Sequence, residues 1–170
     1  LDQKGLQAHW HGAFSAGIDA GLPLKPGALA LLTARHRPMA LFTSSGQAEA
    51  LHKLRVTGLE VHFDTVVTLA DVTRPKPAPE PYLLAAERLG VSPARCLVFE
   101  DSETGAEAAF RAGCRVVQVP DVVPSEGRWA HHLAGDLIDG ARLSKAQVRR
   151  FAHADLAPTR GWLLLGVTRE

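Results

Sequence analysis

Two adjacent carboxylates, Glu100 and Asp101, follow the apolar run Cys96-Leu97-Val98-Phe99, and Ser102-Glu103-Thr104-Gly105 opens a helix behind them. An apolar strand ending in paired acids sets them at the carboxyl edge of a sheet, where open α/β sheets hold their ligands. Neighbouring carboxylates repel each other, and a hard cation such as Mg²⁺, which prefers carboxylate oxygens, neutralises them. A second apolar run, Met39–Phe42, ends in Thr43-Ser44-Ser45-Gly46. A hydroxyl and backbone N–H groups ahead of a helix form a natural anion site. Lys76 stands between Pro75 and Pro77 and offers a point charge suited to a phosphate oxygen. A hydroxyl, an ammonium and a Mg²⁺ site around one pocket are the parts of phosphoryl transfer, in which the protein mainly positions groups and neutralises charge.

The elements that must carry these residues are legible from periodicity and punctuation. Leu6, Trp10 and Phe14 at four-residue spacing predict a helix over 2–20. Gly21-Leu22-Pro23-Leu24 breaks it, and Pro26 suits the first turn of a helix over 26–36. A strand over 39–42, a helix over 47–57 and a strand over 64–68 follow. The Pro-rich stretch 74–79 must be extended or turned. A helix over 80–89 stops at Gly90. Then come a strand over 96–100, a helix over 104–112 closed by Gly113, and a strand over 115–119 ended by Pro120. A helix over 125–134 and a short strand over 136–138 complete the reading. Beyond Ser144 the pattern weakens, and the apolar patch Trp162–Leu165 has no assigned place. Strands alternating with helices imply a parallel sheet covered on both faces, a three-layer, Rossmann-like α/β fold.

Length and composition restrict the classes. A chain of 170 residues suits one domain, and 46% hydrophobic with 22% charged residues is ordinary for a globular protein. The net charge of +1 gives no reason to expect nucleic acid or an anionic membrane as partner. No apolar run reaches the roughly 18 residues that span a bilayer, and Leu1-Asp2-Gln3-Lys4 does not read as a signal peptide. The expected location is cytoplasmic. The lack of Asn and the excess of Arg over Lys point to a GC-rich bacterial genome. Cys96 and Cys114, each at the start of a strand, read as buried free thiols.

With these segments in order, the chain resembles the haloacid dehalogenase superfamily, in its branch of small phosphatases and phosphomutases with a helical cap. Ala40-Leu41-Phe42-Thr43-Ser44-Ser45 is similar to the family's second motif. Lys76-Pro77-Ala78-Pro79-Glu80-Pro81-Tyr82 is similar to its third, and Phe99-Glu100-Asp101-Ser102 with Gly105, Ala108-Ala109 and Ala112-Gly113 to its fourth. The resemblance covers residues 20–140. It implies that Thr43 and the Ser44 N–H bind phosphate, that Lys76 bridges phosphate and nucleophile, and that Asp101, with Glu100 beside it, coordinates Mg²⁺. Pro75 stands where the family has Gly or another small residue. The implied activity is Mg²⁺-dependent hydrolysis of a small phosphorylated metabolite through an aspartyl-phosphate. A β-phosphoglucomutase-like phosphomutase and a non-catalytic module that binds phosphate or a protein partner are the alternatives.

One motif is missing. The family begins with Asp-x-Asp, whose first Asp attacks phosphorus and whose second is the general acid and base. No Asp-x-Asp occurs in the chain, and Asp136-Leu137-Ile138-Asp139-Gly140 has the wrong spacing. The missing segment would also carry the central strand, which leaves the strands ending at Thr43 and Glu100 with open edges and invites self-association. The expectation is an N-terminally incomplete copy of a longer enzyme, inactive as it stands. Residues 1–20 would be the last helix of the helical cap, 21–150 the core and 151–170 a tail. His9-Trp10-His11 read as surface or cap contacts, since positions two apart do not share a helix face. His131-His132 read as solvated helix residues, and Trp129 and Trp162 as packing anchors.

Overall fold

The computed structural model describes residues 22–33, 38–121 and 123–142, and the backbone of 161–164. Helix α1 (Ala28–Thr33) leads to strand β1 (Met39–Phe42), helix α2 (Gln47–Thr57) and strand β2 (Thr65–Val67). Helix α3 (Glu80–Arg88), strand β3 (Cys96–Glu100), helix α4 (Glu103–Arg111) and strand β4 (Arg115–Gln118) follow, then β5 (His132–Leu133) and β6 (Gly161–Leu164). The six strands pair in parallel, in the order β2-β1-β6-β3-β4-β5. The fold is the expected three-layer α/β type, and every side chain of β1 is buried, as a strand covered on both faces requires. Helix α4 meets the sheet through Gly105, Ala106, Ala108 and Ala109, all buried. These small residues let the helix backbone come close. The predicted helix over 2–20, with His9, Trp10 and His11, lies outside the described residues.

Three expectations are corrected. The edges of β1 and β3, expected open, are filled by β6, which sets Trp162 opposite both Met39 and Leu97 and Leu163 opposite Ala40 and Val98. Most of the apolar patch without an assigned place is thus the backbone of an interior strand. Second, no helix forms over 125–134. Gly127 turns the chain with φ +70°, and the His131 and Ala134 N–H groups donate to the Val116 and Gln118 carbonyls, drawing β5 alongside β4. The His pair therefore lies on and beside an edge strand. The Val116 N–H donates to His131 Nδ1 at 3.1 Å, and burial holds the His131 imidazole below its usual range. Third, 136–138 is not a strand: a helix runs over 137–142. Asp136 caps it, its carboxylate accepting from the Asp139 N–H at 2.7 Å. Trp129 packs as expected, against Phe110 with ring centroids 5.7 Å apart. Cys96 and Cys114 are buried free thiols, and the adjoining Cys96 thiol and burial push the Cys114 thiol far above its usual range. No helix among the described residues is long and apolar enough to cross a membrane.

Candidate phosphate site at the carboxyl edge of the sheet

Because β1, β3 and β4 run parallel, Thr43, Asp101 and Asp121, each just beyond a strand end, reach the same edge of the sheet. Thr43 is fixed by its backbone, its N–H donating to the Val67 carbonyl at 3.0 Å. Its hydroxyl oxygen accepts the Ser45 N–H at 3.1 Å, which orients the lone pairs inward and leaves the hydroxyl proton to donate elsewhere. Gly46, not Thr43, takes the N-cap position of α2. Ser44 is exposed. Ser45 is used structurally: its hydroxyl donates to Glu49 at 2.6 Å and accepts from Lys53 at 3.3 Å.

Lys76 reaches the edge from the loop before α3. Its ammonium donates to Glu100 Oε1 at 2.5 Å and lies 4.9 Å from the centroid of the Phe42 ring. The lysine thus joins the ends of β1 and β3. Glu100 is fully buried and densely bonded. The Tyr82 hydroxyl donates to the same Oε1 at 2.5 Å, and the Ser102 hydroxyl and N–H donate to Oε2 at 3.0 and 3.3 Å. Burial and the adjoining Glu100 carboxylate hold the Tyr82 phenol well above its usual range, so it keeps its proton and donates. The Tyr82 ring meets Phe42 edge-on at 5.9 Å. Gly105 completes the pocket: a Cβ there would land inside the Glu100 carboxylate.

Asp101 is different. Its side chain is 32% exposed, against 0% for Glu100. Its Oδ2 accepts from Lys25 Nζ at 2.8 Å, and Lys25 also pairs with Asp121 at 3.2 Å. Sequence reasoning did not find Lys25 or Asp121, and it assigned Tyr82 no role. The signal for Lys25, a lysine between Leu24 and Pro26 at the head of an apolar segment, shows burial only once its distant carboxylates are placed.

For a divalent cation the donor set is the test. Asp101 supplies a hard oxygen that solvent reaches, and Mg²⁺ commonly takes one or two carboxylates while keeping its other positions for phosphate and water. Asp101 therefore fits Mg²⁺ as an anchoring carboxylate. No group of three or more His, Cys, Asp or Glu that could hold a metal occurs among the described residues.

A parallel α/β sheet with a lysine, a hydroxyl and a half-buried carboxylate at one carboxyl edge gathers its polar groups where open α/β sheets hold their ligands. The chain belongs to the haloacid dehalogenase-like hydrolase family, whose sequence model matches residues 3–113. It is 47% identical over 83 residues to the fructose-1-phosphate phosphatase YqaB of Escherichia coli strain K12, a match covering 49% of this chain and 44% of that protein. It is 48% identical over 86 residues to a phosphorylated carbohydrates phosphatase of Thermotoga maritima, covering 51% and 40%. The matched stretches thus span less than half the length of these curated relatives. Among solved structures, a putative β-phosphoglucomutase from Thermotoga maritima superposes with a TM-score of 0.75 at 32% identity, covering 86% of this chain and 71% of that one.

Proposed function

We propose that the edge formed by Thr43, Ser44, Lys76 and Asp101 binds the phosphate of a small phosphorylated metabolite, a sugar phosphate above all, and that the parent activity is Mg²⁺-dependent hydrolysis of that ester. The observation that carries this reading is the Lys76 ammonium, held by Glu100 at the shared ends of β1 and β3. There it neutralises phosphate oxygens while the Thr43 hydroxyl and the Ser44 N–H donate to them. Glu100 sits behind Lys76 and aims it, whereas Asp101 faces solvent and anchors the cation. When bound, Mg²⁺ neutralises charge on the phosphoryl group. The phosphatases among the relatives favour hydrolysis.

The described strand β6, Gly161-Trp162-Leu163-Leu164, carries no carboxylate at the centre of the edge. Asp136 is engaged as a helix cap. These two observations favour a chain that binds phosphate esters and turns them over slowly or not at all. The experiment is Mg²⁺-dependent hydrolysis of p-nitrophenyl phosphate beside a phosphate-binding titration, for the 170-residue chain, Lys76→Ala and Asp101→Asn. Phosphate binding lost in Lys76→Ala is the expected outcome, about a tenfold loss or more for a charge-assisted contact. Any hydrolysis that occurs should disappear in Asp101→Asn. Unchanged phosphate affinity in Lys76→Ala overturns the reading.

A further inference from the structure

Asp101 has a partner that neither the family assignment nor the phosphate site calls for. The Lys25 side chain is only 6% exposed, and a buried ammonium demands compensation. It receives that from two loops at the carboxyl edge, through Asp101 Oδ2 at 2.8 Å and Asp121 Oδ2 at 3.2 Å. Two carboxylates facing one ammonium carry a net negative charge, so the cluster attracts a further cation. The oxygen that Lys25 occupies belongs to the carboxylate that fits Mg²⁺.

We propose that Lys25 is a built-in counter-cation for Asp101: it holds the carboxylate while no metal is present, and a divalent ion must displace it, so that Lys25 sets the metal affinity of the edge. This rests on reading Asp101 as the metal-anchoring carboxylate. Lys25 would withdraw from Oδ2 onto Asp121, its second partner, which already lies 3.2 Å from the ammonium. Asp121 thus keeps the displaced ammonium paired instead of leaving it buried and alone. Breaking one charge-assisted bond in this partly buried setting corresponds to about tenfold in affinity.

The test is a titration of the full chain with Mn²⁺, a Mg²⁺ substitute seen directly by electron paramagnetic resonance, for wild type, Lys25→Met and Asp101→Asn. Mn²⁺ binding about tenfold tighter in Lys25→Met and lost in Asp101→Asn supports the proposal. Equal Mn²⁺ affinity in wild type and Lys25→Met, with binding still lost in Asp101→Asn, overturns the proposal alone. No binding in wild type or in Lys25→Met overturns the metal reading of Asp101 and the proposal with it. Should Lys25→Met fail to fold, ¹⁵N NMR of the Lys25 ammonium in the wild type decides. A shift of its signal on adding Mn²⁺'s diamagnetic counterpart Mg²⁺ supports displacement, and an unmoved signal at saturating Mg²⁺ overturns it.

Discussion

At the scale of single residues, the site depends on how many groups converge on Glu100. A carboxylate taken out of water must have its lone pairs filled, because an unpaired buried charge is strongly destabilising. Lys76, Tyr82 and Ser102 fill them, and Gly105 leaves the room. Tyr82→Phe keeps the ring against Phe42 but removes one donor. It should cost about 1.5–3 kcal/mol, the range for a hydrogen bond to a charged group, and loosen Lys76, weakening phosphate affinity as well. Urea unfolding and a phosphate titration check both; wild-type values in each would mean the phenol does not hold Glu100. The outline of this site is legible in the sequence, because Thr43, Lys76, Glu100 and Asp101 punctuate apolar runs and Pro-rich turns. The division of labour between the two acids is not. Neighbours in sequence, they sit in different environments, and only the donors from α3, the loop before it and the segment ahead of α1 reveal which one is buried. Lys25 is illegible for the same reason: its partners lie 76 residues away in the chain and on a further loop.

At the scale of elements, strands and helices whose faces match their period were readable, among them Met39–Phe42, Gln47–Thr57, Glu80–Arg88 and Cys96–Glu100. The misread stretch 125–134 had helix-compatible residues but gained its backbone partners from the open side of β4, a long-range choice that local propensity does not encode. A further tie between elements is Asp71, which accepts from Arg88 of α3 at 2.6 Å and from the Thr68 N–H at 2.8 Å. Arg88 also donates to the Val66 carbonyl of β2 at 2.9 Å. The Arg88 guanidinium and the Thr68 N–H hold the Asp71 carboxyl down at about 2. With the folded value depressed, its contribution is complete above the ordinary carboxylate range and fades as pH falls from about 4 through 2. Asp71 is exposed, so solvent screening keeps the effect small. Thermal melts between pH 2 and 6 should show Asp71→Asn less stable than wild type at pH 6, with the two converging at pH 2. Parallel curves would show that Asp71 does not link β2 to α3.

At the scale of the whole molecule, the described sheet has a seam at its centre. β2 and β1 form one half and β3, β4 and β5 the other, and among the described residues the ladders join through β6. Leu163→Pro removes the N–H of a residue that faces Ala40 on one side and Val98 on the other. Proline is not tolerated inside a central strand. One lost bond and one group left unsatisfied amount to about 2–4 kcal/mol, or a Tm lowered by roughly 4–16 °C for a chain of this size. A melt like that of wild type would mean the halves hold together without this ladder. The order of strands along the chain also bears on biosynthesis. The ribosome makes β6 after the five strands it must separate and join. Among the described strands, those made before it form two half-sheets whose facing edges, on β1 and β3, are the ones β6 fills. Bare strand edges of this kind invite pairing with another chain, so β6 does more than add a ladder: by its late place in the chain order it caps both halves at once.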